Sequence, residues 1–211
     1  MTHLIHLGFL ASNNGTSLRA IVAAIEAGEL AAEARLVVGN RKAAPALAFA
    51  RDHQIATQWI PTISDPGAAD AALAEALARA GVELVVLSGY LRKLGPKTLR
   101  AFQGRILNIH PALLPRHGGP GMYGRRVHEA VLAAGDRRSG ASVHLVDDLY
   151  DHGAVVARAE LAVSPHDTAE SLEGKVMAVE PGLFVETLKR IADGALILRD
   201  IGDVTLDIPA P

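Results

Sequence analysis

Arg105-Ile106-Leu107-Asn108-Ile109-His110-Pro111-Ala112-Leu113-Leu114-Pro115 is an apolar run that carries two polar side chains and stops at a proline. Read as a β-strand, its period-2 alternation points Asn108 and His110 to the same side of a sheet. Pro111 has no amide hydrogen and biases His110 away from helical geometry, so the ladder is expected to end there. The chain then turns outward, as it does at the carboxyl edge of open α/β sheets where ligands bind. A buried asparagine and histidine that merely satisfy loop backbone is the competing reading, and spacing alone leaves both open.

Upstream, residues 4–11 form another apolar run, followed by Ser12-Asn13-Asn14-Gly15-Thr16-Ser17 and then a segment of helical spacing from Leu18. This is strand, small polar loop, helix. Such a loop presents free amides and the positive end of the helix dipole, and phosphate is its natural guest; ordinary N-capping explains the same residues. It is neither a GxGxxG nor a Walker loop. Short strands are expected at residues 34–40, 54–61 and 83–88, the last apolar enough to be covered on both faces. Helices are expected at 43–53, 68–80 and 97–102. Regular β-α alternation through residue 110 argues for parallel strands joined by right-handed crossovers.

Beyond residue 110 the pattern changes. A helix is expected from about Arg125 to Ala134, then strands at 141–146 and 154–163 whose short connection implies antiparallel pairing. Residues 168–192 read as a long helix that Gly174, Pro181 and Gly182 kink or interrupt. The tail after Gly194 reads as a peripheral strand or coil. The expected fold class is therefore α/β: an open, mostly parallel, Rossmann-like sheet with helices on both faces and an antiparallel C-terminal extension. With no repeat and no low-complexity linker, one domain over 1–211 is expected, an N-terminal half to about residue 104 and a C-terminal half from 105.

The chain has 211 residues, enough to bury a substantial core. It contains no cysteine, so disulfides, thiolate catalysis and Cys-type zinc sites are excluded. Residues 1–6 lack the basic and apolar regions of a signal peptide, and no apolar run reaches the length of a membrane span, so a soluble cytoplasmic protein is expected. The net charge of -2 and the absence of a basic patch with interleaved aromatics argue against nucleic acid as a partner. Small-molecule substrates are expected, with no membrane partner, on a monomer or homodimer.

If the loop at residues 147–153 sits at the same sheet edge as the strand at 106–110, then Asn108, His110 and Asp151 converge. An imidazole beside a carboxylate is an acid/base pair, and an amide beside them can hold an oxyanion. Asp147, Asp148 and Asp151 also invite a cation-site reading, but hard cations need more oxygen ligands at tighter spacing, and turn chemistry accounts for the cluster.

Asn108-Ile109-His110-Pro111-Ala112-Leu113-Leu114-Pro115, then Ser139-Gly140 with Val143-His144, then Asp151-His152-Gly153 resemble the folate-dependent formyltransferase family, and most closely its small members. The similarity runs from Leu4 to about Gly194. The resemblance implies transfer of a formyl group from 10-formyltetrahydrofolate to the amine of glycinamide ribonucleotide, with no metal. It implies that Asn108 and a protonated His110 stabilise the tetrahedral oxyanion, and that Asp151 keeps His110 charged and helps move the proton. Asn14, Gly15, Thr16, Ser17 and Glu180 match positions on the ribonucleotide. Tyr90, Leu91, Arg92, Leu94, Leu107, Val146, Asp147 and Asp148 match the walls of the folate pocket, where simple core packing is the alternative for the leucines.

The chain departs from the family pattern in three places. Asn13 stands where glycine is commonest and Ser17 where asparagine is, no arginine lies near residues 64–68, and Gly118–Gly124 differs from the commonest short form. The first departure falls in the loop that reads the acceptor, so a formyltransferase acting on a nucleotide-linked amino sugar is the alternative. Relatives that formylate methionyl-tRNA or hydrolyse formyltetrahydrofolate carry an additional domain that 211 residues are not expected to hold. A non-catalytic folate- or nucleotide-binding protein would be expected to lack one of Asn108, His110 or Asp151.

Overall fold

The computed structural model describes residues 4–198 and 206–209. In chain order the elements are β1 (Ile5–Ala11), α1 (Thr16–Glu26), β2 (Ala32–Gly39), α2 (Pro45–Asp52), β3 (Ala56–Trp59), α3 (Pro66–Arg79) and β4 (Leu84–Leu87). They continue with α4 (Pro96–Ala101), β5 (Ile106–His110), α5 (Arg125–Ala133), β6 (Arg138–Leu145), β7 (Val155–Ala162), α6 (Ala169–Ala192) and β8 (Leu206–Pro209). The strands form one sheet in the order β3-β2-β1-β4-β5-β6-β7-β8. The first five are mutually parallel, β6 is antiparallel to β5, β7 to β6, and β8 runs parallel to β7. This is the expected α/β class with its antiparallel extension.

The alternating strand residues build two cores. Leu7, Phe9, Val86, Leu107 and Val143 pack on one face with Leu18 and Ile21 of α1, Leu47 of α2 and Phe184 of α6. Leu10, Val85, Leu87 and Ile106 pack on the other with Leu73 and Leu77 of α3 and Phe102. The order in which strands are added changes side between β1 and β4, the switch point that leaves a crevice at the carboxyl ends of open parallel sheets. The two loops there are tied together: Ser12 N–H donates to Gly89 O (3.2 Å), and Leu91 N–H to Ser12 Oγ (2.8 Å).

The long C-terminal helix is present as expected, without the interruption that was one of the two expected outcomes. Gly174, Pro181 and Gly182 do not divide α6, which runs unbroken over 24 residues. Its buried stripe of Leu172, Val176, Val179, Leu183, Phe184 and Leu188 recurs every three or four residues, and burying that stripe outweighs one lost backbone bond. The carbonyl deprived of a donor by Pro181 belongs to Met177, whose side chain is exposed, so water is at hand. The strand expected after Gly194 is β8, while residues 199–205 lie outside the described residues.

Helix α1 begins at Gly15, which adopts a left-handed conformation (φ 66°) and offers no side-chain cap. The cap comes from elsewhere: Ser88, 1% exposed just past β4, accepts the Leu18 N–H through its Oγ at 2.9 Å. Ser88→Ala is therefore expected to cost about 1–2 kcal/mol, the usual worth of a buried cap bond. A lower urea midpoint at unchanged slope would show it, and an unaltered midpoint would mean that water replaces the hydroxyl.

Candidate active site

Asn108 and His110 leave β5 on one side of the sheet, as the alternation predicts. Behind His110 the chain is held down by Ser142 Oγ, which accepts the Leu114 N–H (3.1 Å) and donates to Ala112 O (2.7 Å). Arg158 Nη2 donates to Leu114 O at 2.6 Å. Residues 116–119 then strap across the site: Arg116 and His117 both hold Asp136, each at 2.7 Å. The His117 carbonyl accepts the Nε2–H of His110 at 2.8 Å.

Asp151 arrives by an unexpected route. The loop after β6 does not spring from the carboxyl edge of β5, because Leu145 pairs with Leu107 and Val146 N–H donates to Ile106 O, at the strand's beginning. The loop folds back instead and returns Asp151, in a left-handed conformation (φ 55°), to His110. Two glycines permit this. A Cβ on Gly153 would lie 1.9 Å from Leu145 O, and one on Gly118 would meet Leu114 at 2.5 Å and Asp151 Cβ at 3.1 Å. Asp151 Oδ2 stands 3.4 Å from His110 Nδ1 and accepts the Gly119 N–H at 2.9 Å; its Oδ1 stands 3.6 Å from His144 Nε2. Asp147 is spent on the loop itself, accepting the Leu149 N–H (2.8 Å) and holding His152 Nδ1 at 2.9 Å.

Burial holds the His110 imidazole below the ordinary histidine value, outweighing Asp151 and the His117 carbonyl, which both pull upward. The Nε2 proton goes to the His117 carbonyl, and burial works against a second proton on Nδ1 beside Asp151. His144, also buried, is lowered for the same leading reason. This residue was quoted above only as part of a motif. Its register opposite Asn108 across β5 and β6 was the signal that could have singled it out.

One groove gathers Tyr90, Arg92, Leu94, Asn108, His144, Val146, Asp147, Asp148 and Asp151 along its walls. Burial pushes the Tyr90 phenol up to about 12, so it is neutral. Two of the matched leucines lie elsewhere. Leu107 is 0% exposed in the core on the opposite face, as alternation from Asn108 requires, and Leu91 is 61% exposed with only its N–H engaged. Their side chains do not line the groove.

The loop at Gly15 lies two strands from β5, about 10 Å across the sheet. Among the described residues, the amides of Gly15, Thr16 and Ser17 have no acceptor. Two guanidiniums flank them with no carboxylate partner among the described residues. Arg41 Nη1 donates to Asn13 Oδ1 at 2.7 Å, and Arg19 Nε to Asn14 O at 3.0 Å. Glu180 is half-buried on α6 with no hydrogen bond or ion pair among the described residues, and burial pushes its carboxyl up to about 7. Among the described residues no group of three or more His, Asp or Glu side chains is placed to hold a metal ion, and no helix is long and apolar enough to cross a membrane.

An imidazole, an amide and a carboxylate thus meet at one groove, with an anion-ready loop beside it. The family model described as formyl transferase matches residues 6–188. The chain belongs to the formyl transferase family. Phosphoribosylglycinamide formyltransferase of Haemophilus influenzae is 34% identical over 92% of this chain and 90% of its own length. The chloroplastic protein of the same name from Vigna unguiculata is 35% identical over 93% of this chain, which spans only 64% of that relative. The structure of the phosphoribosylglycinamide formyltransferase from Coxiella burnetii, in complex with CHES, superposes with a TM-score of 0.83 at 38% identity. It covers 91% of this chain and 89% of its own. Family membership implies a folate-derived formyl donor.

The raised carboxyl of Glu180 has a measurable consequence. With a folded value near 7 against 4.5 unfolded, the folded chain holds a proton through that window that the unfolded chain has released. Stability from this group is thus present below about pH 4.5 and falls as pH rises through about 7. Glu180→Gln is expected to melt above the parent at pH 8 and level with it at pH 4. Equal melting at both would place the Glu180 carboxylate in water.

Proposed function

We propose that this chain transfers the formyl group of 10-formyltetrahydrofolate to the amine of glycinamide ribonucleotide, a step of purine biosynthesis. The observation that carries the reading is the meeting of Asn108, His110 and Asp151 at one groove in a chain of this family. The named relatives act on the corresponding phosphoribosylated substrate. The whole chain is read as one formyltransferase domain, residues to about 104 facing the ribonucleotide phosphate and those from 105 supplying the catalytic and folate-facing groups.

The amine nitrogen attacks the formyl carbon, forming a C–N bond and placing negative charge on the formyl oxygen. Asn108 Nδ2–H donates to that oxyanion. His110, neutral at rest, takes up the proton that the attacking ammonium gives up as the oxyanion develops, because a negative charge beside it reverses the balance set by burial. Asp151 supports the imidazolium while it lasts and helps move that same proton on to the folate nitrogen. That nitrogen leaves protonated as the carbonyl re-forms, so the products are the formamide and tetrahydrofolate. Hydrogen-bond donors supply the polarisation, and the mechanism calls on no metal.

Tyr90, Arg92, Leu94, Val146, Asp147 and Asp148 form the proposed folate pocket, with Leu91 and Leu107 contributing main chain only. Asn14, Gly15, Thr16 and Ser17 take the phosphate through free amides at the start of α1, and Glu180 faces the ribonucleotide. Arg41, held by Asn13, adds charge where the family commonly has a glycine. The reading carries with it small-molecule substrates, a cytoplasmic setting and a monomer or homodimer.

Purified protein with both substrates should release tetrahydrofolate, followed by absorbance. Silence with glycinamide ribonucleotide and turnover with a nucleotide-linked amino sugar would select the alternative acceptor. His110→Ala and Asp151→Asn should each lower kcat by at least about 100-fold while donor binding persists, and a near-normal rate in either would remove that residue from the mechanism. Arg41→Ala is expected to raise the acceptor's KM several-fold and leave the donor's KM alone. Equal changes in both would mean that Arg41 does not read the phosphate.

A further inference from the structure

His144 pairs with Asn108 across β5 and β6, and its ring is 2% exposed. Its Nδ1 stands 2.9 Å from Leu145 O. A carbonyl can only accept, so the ring carries a proton on Nδ1. The other nitrogen, Nε2, lies 3.1 Å from Asn108 Nδ2. In a neutral ring protonated at Nδ1 that nitrogen is a lone pair, and it accepts one of the two amide hydrogens.

The consequence falls on Asn108. An asparagine amide is nearly symmetric in shape, and flipping it exchanges a donor for an acceptor. With Nε2 of His144 as a lone pair, the flipped amide would set oxygen against it, two acceptors facing each other in a buried place. Only the unflipped amide is satisfied, and it keeps a second Nδ2–H free.

We propose that His144 is a positioning residue, its Nδ1-protonated ring fixing the Asn108 amide so that an N–H points to the reacting formyl oxygen. The inference rests on the proposed formyl transfer and extends it to a residue outside Asn108, His110 and Asp151. Two features support it. Burial holds the ring neutral, against Asp151 and Asp147, which pull upward, and with His110, which pushes downward. Asp151 Oδ1, at 3.6 Å from Nε2, is the acceptor that would capture a protonated Nε2 and take it from Asn108. The amide is thus oriented only while His144 is uncharged.

A nitrogen-15 spectrum of the imidazoles in the full chain at pH 7.5 should show His144 protonated at Nδ1 and bare at Nε2. An Nε2-protonated His144 would overturn the proposal. This readout needs neither activity nor acceptor, so it is distinct from failure of the functional reading, which would appear as a wild-type chain silent with glycinamide ribonucleotide. In the kinetic arm, His144→Phe keeps the ring's bulk and removes the acceptor. It should lower kcat about 10- to 100-fold with both KM values within about threefold. In an Asn108→Ala background the same change should cost less than about twofold more, since a residue acting through Asn108 has nothing left to orient. Additive losses would show that His144 acts on its own and would sink the inference.

Discussion

A carboxylate folded back onto two buried imidazoles is the constraint around which this molecule is arranged. Asp151 lies within 3.6 Å of a nitrogen of both His110 and His144 and takes the Gly119 N–H. Bringing it there requires a loop that reverses over the sheet, a left-handed residue at the tip and two glycines with no room for a Cβ. Burial outweighs the carboxylate in shifting both rings, each below the ordinary histidine value. A site of this kind is preorganised as donors and acceptors and acquires charge only when a ligand brings it.

The second recognition surface follows from how α1 begins. Its N-cap is a glycine, so no side chain from the loop occupies the first amides. The stabilisation comes from Ser88, behind the loop and near the end of a neighbouring strand, which satisfies Leu18 and leaves Gly15, Thr16 and Ser17 open. The same crossing of β1 and β4 that creates the crevice therefore braces the helix without filling it. About 10 Å separates this loop from β5, and the proposed acceptor, with phosphate at one end and amine at the other, suits that span.

Much of this was legible from residue patterns. Alternation in β5 predicted the shared side of Asn108 and His110, and apolar runs alternating with helical periods predicted the parallel half. The misreadings were those where local rules met long-range packing. Pro181 and two glycines argued locally for a kink or an interruption in the long α6, but a six-residue buried stripe held it together without a break. The side chain of Leu107, matched to the folate wall, lies in the core on the far face, as its neighbour's alternation requires. His144 went unassigned because its partner is 36 positions away, and only strand register brings them together.

By itself the amino-acid order determined the element sequence, the parallel-to-antiparallel change after residue 110 and the polar residues available for chemistry, because these depend on periodicity and side-chain type over a few neighbours. Only the tertiary structure decided where Asp151 returns, and that burial outweighs the carboxylate in shifting both imidazoles. Those outcomes depend on desolvation and on distances between segments remote in the chain, quantities that no local pattern encodes.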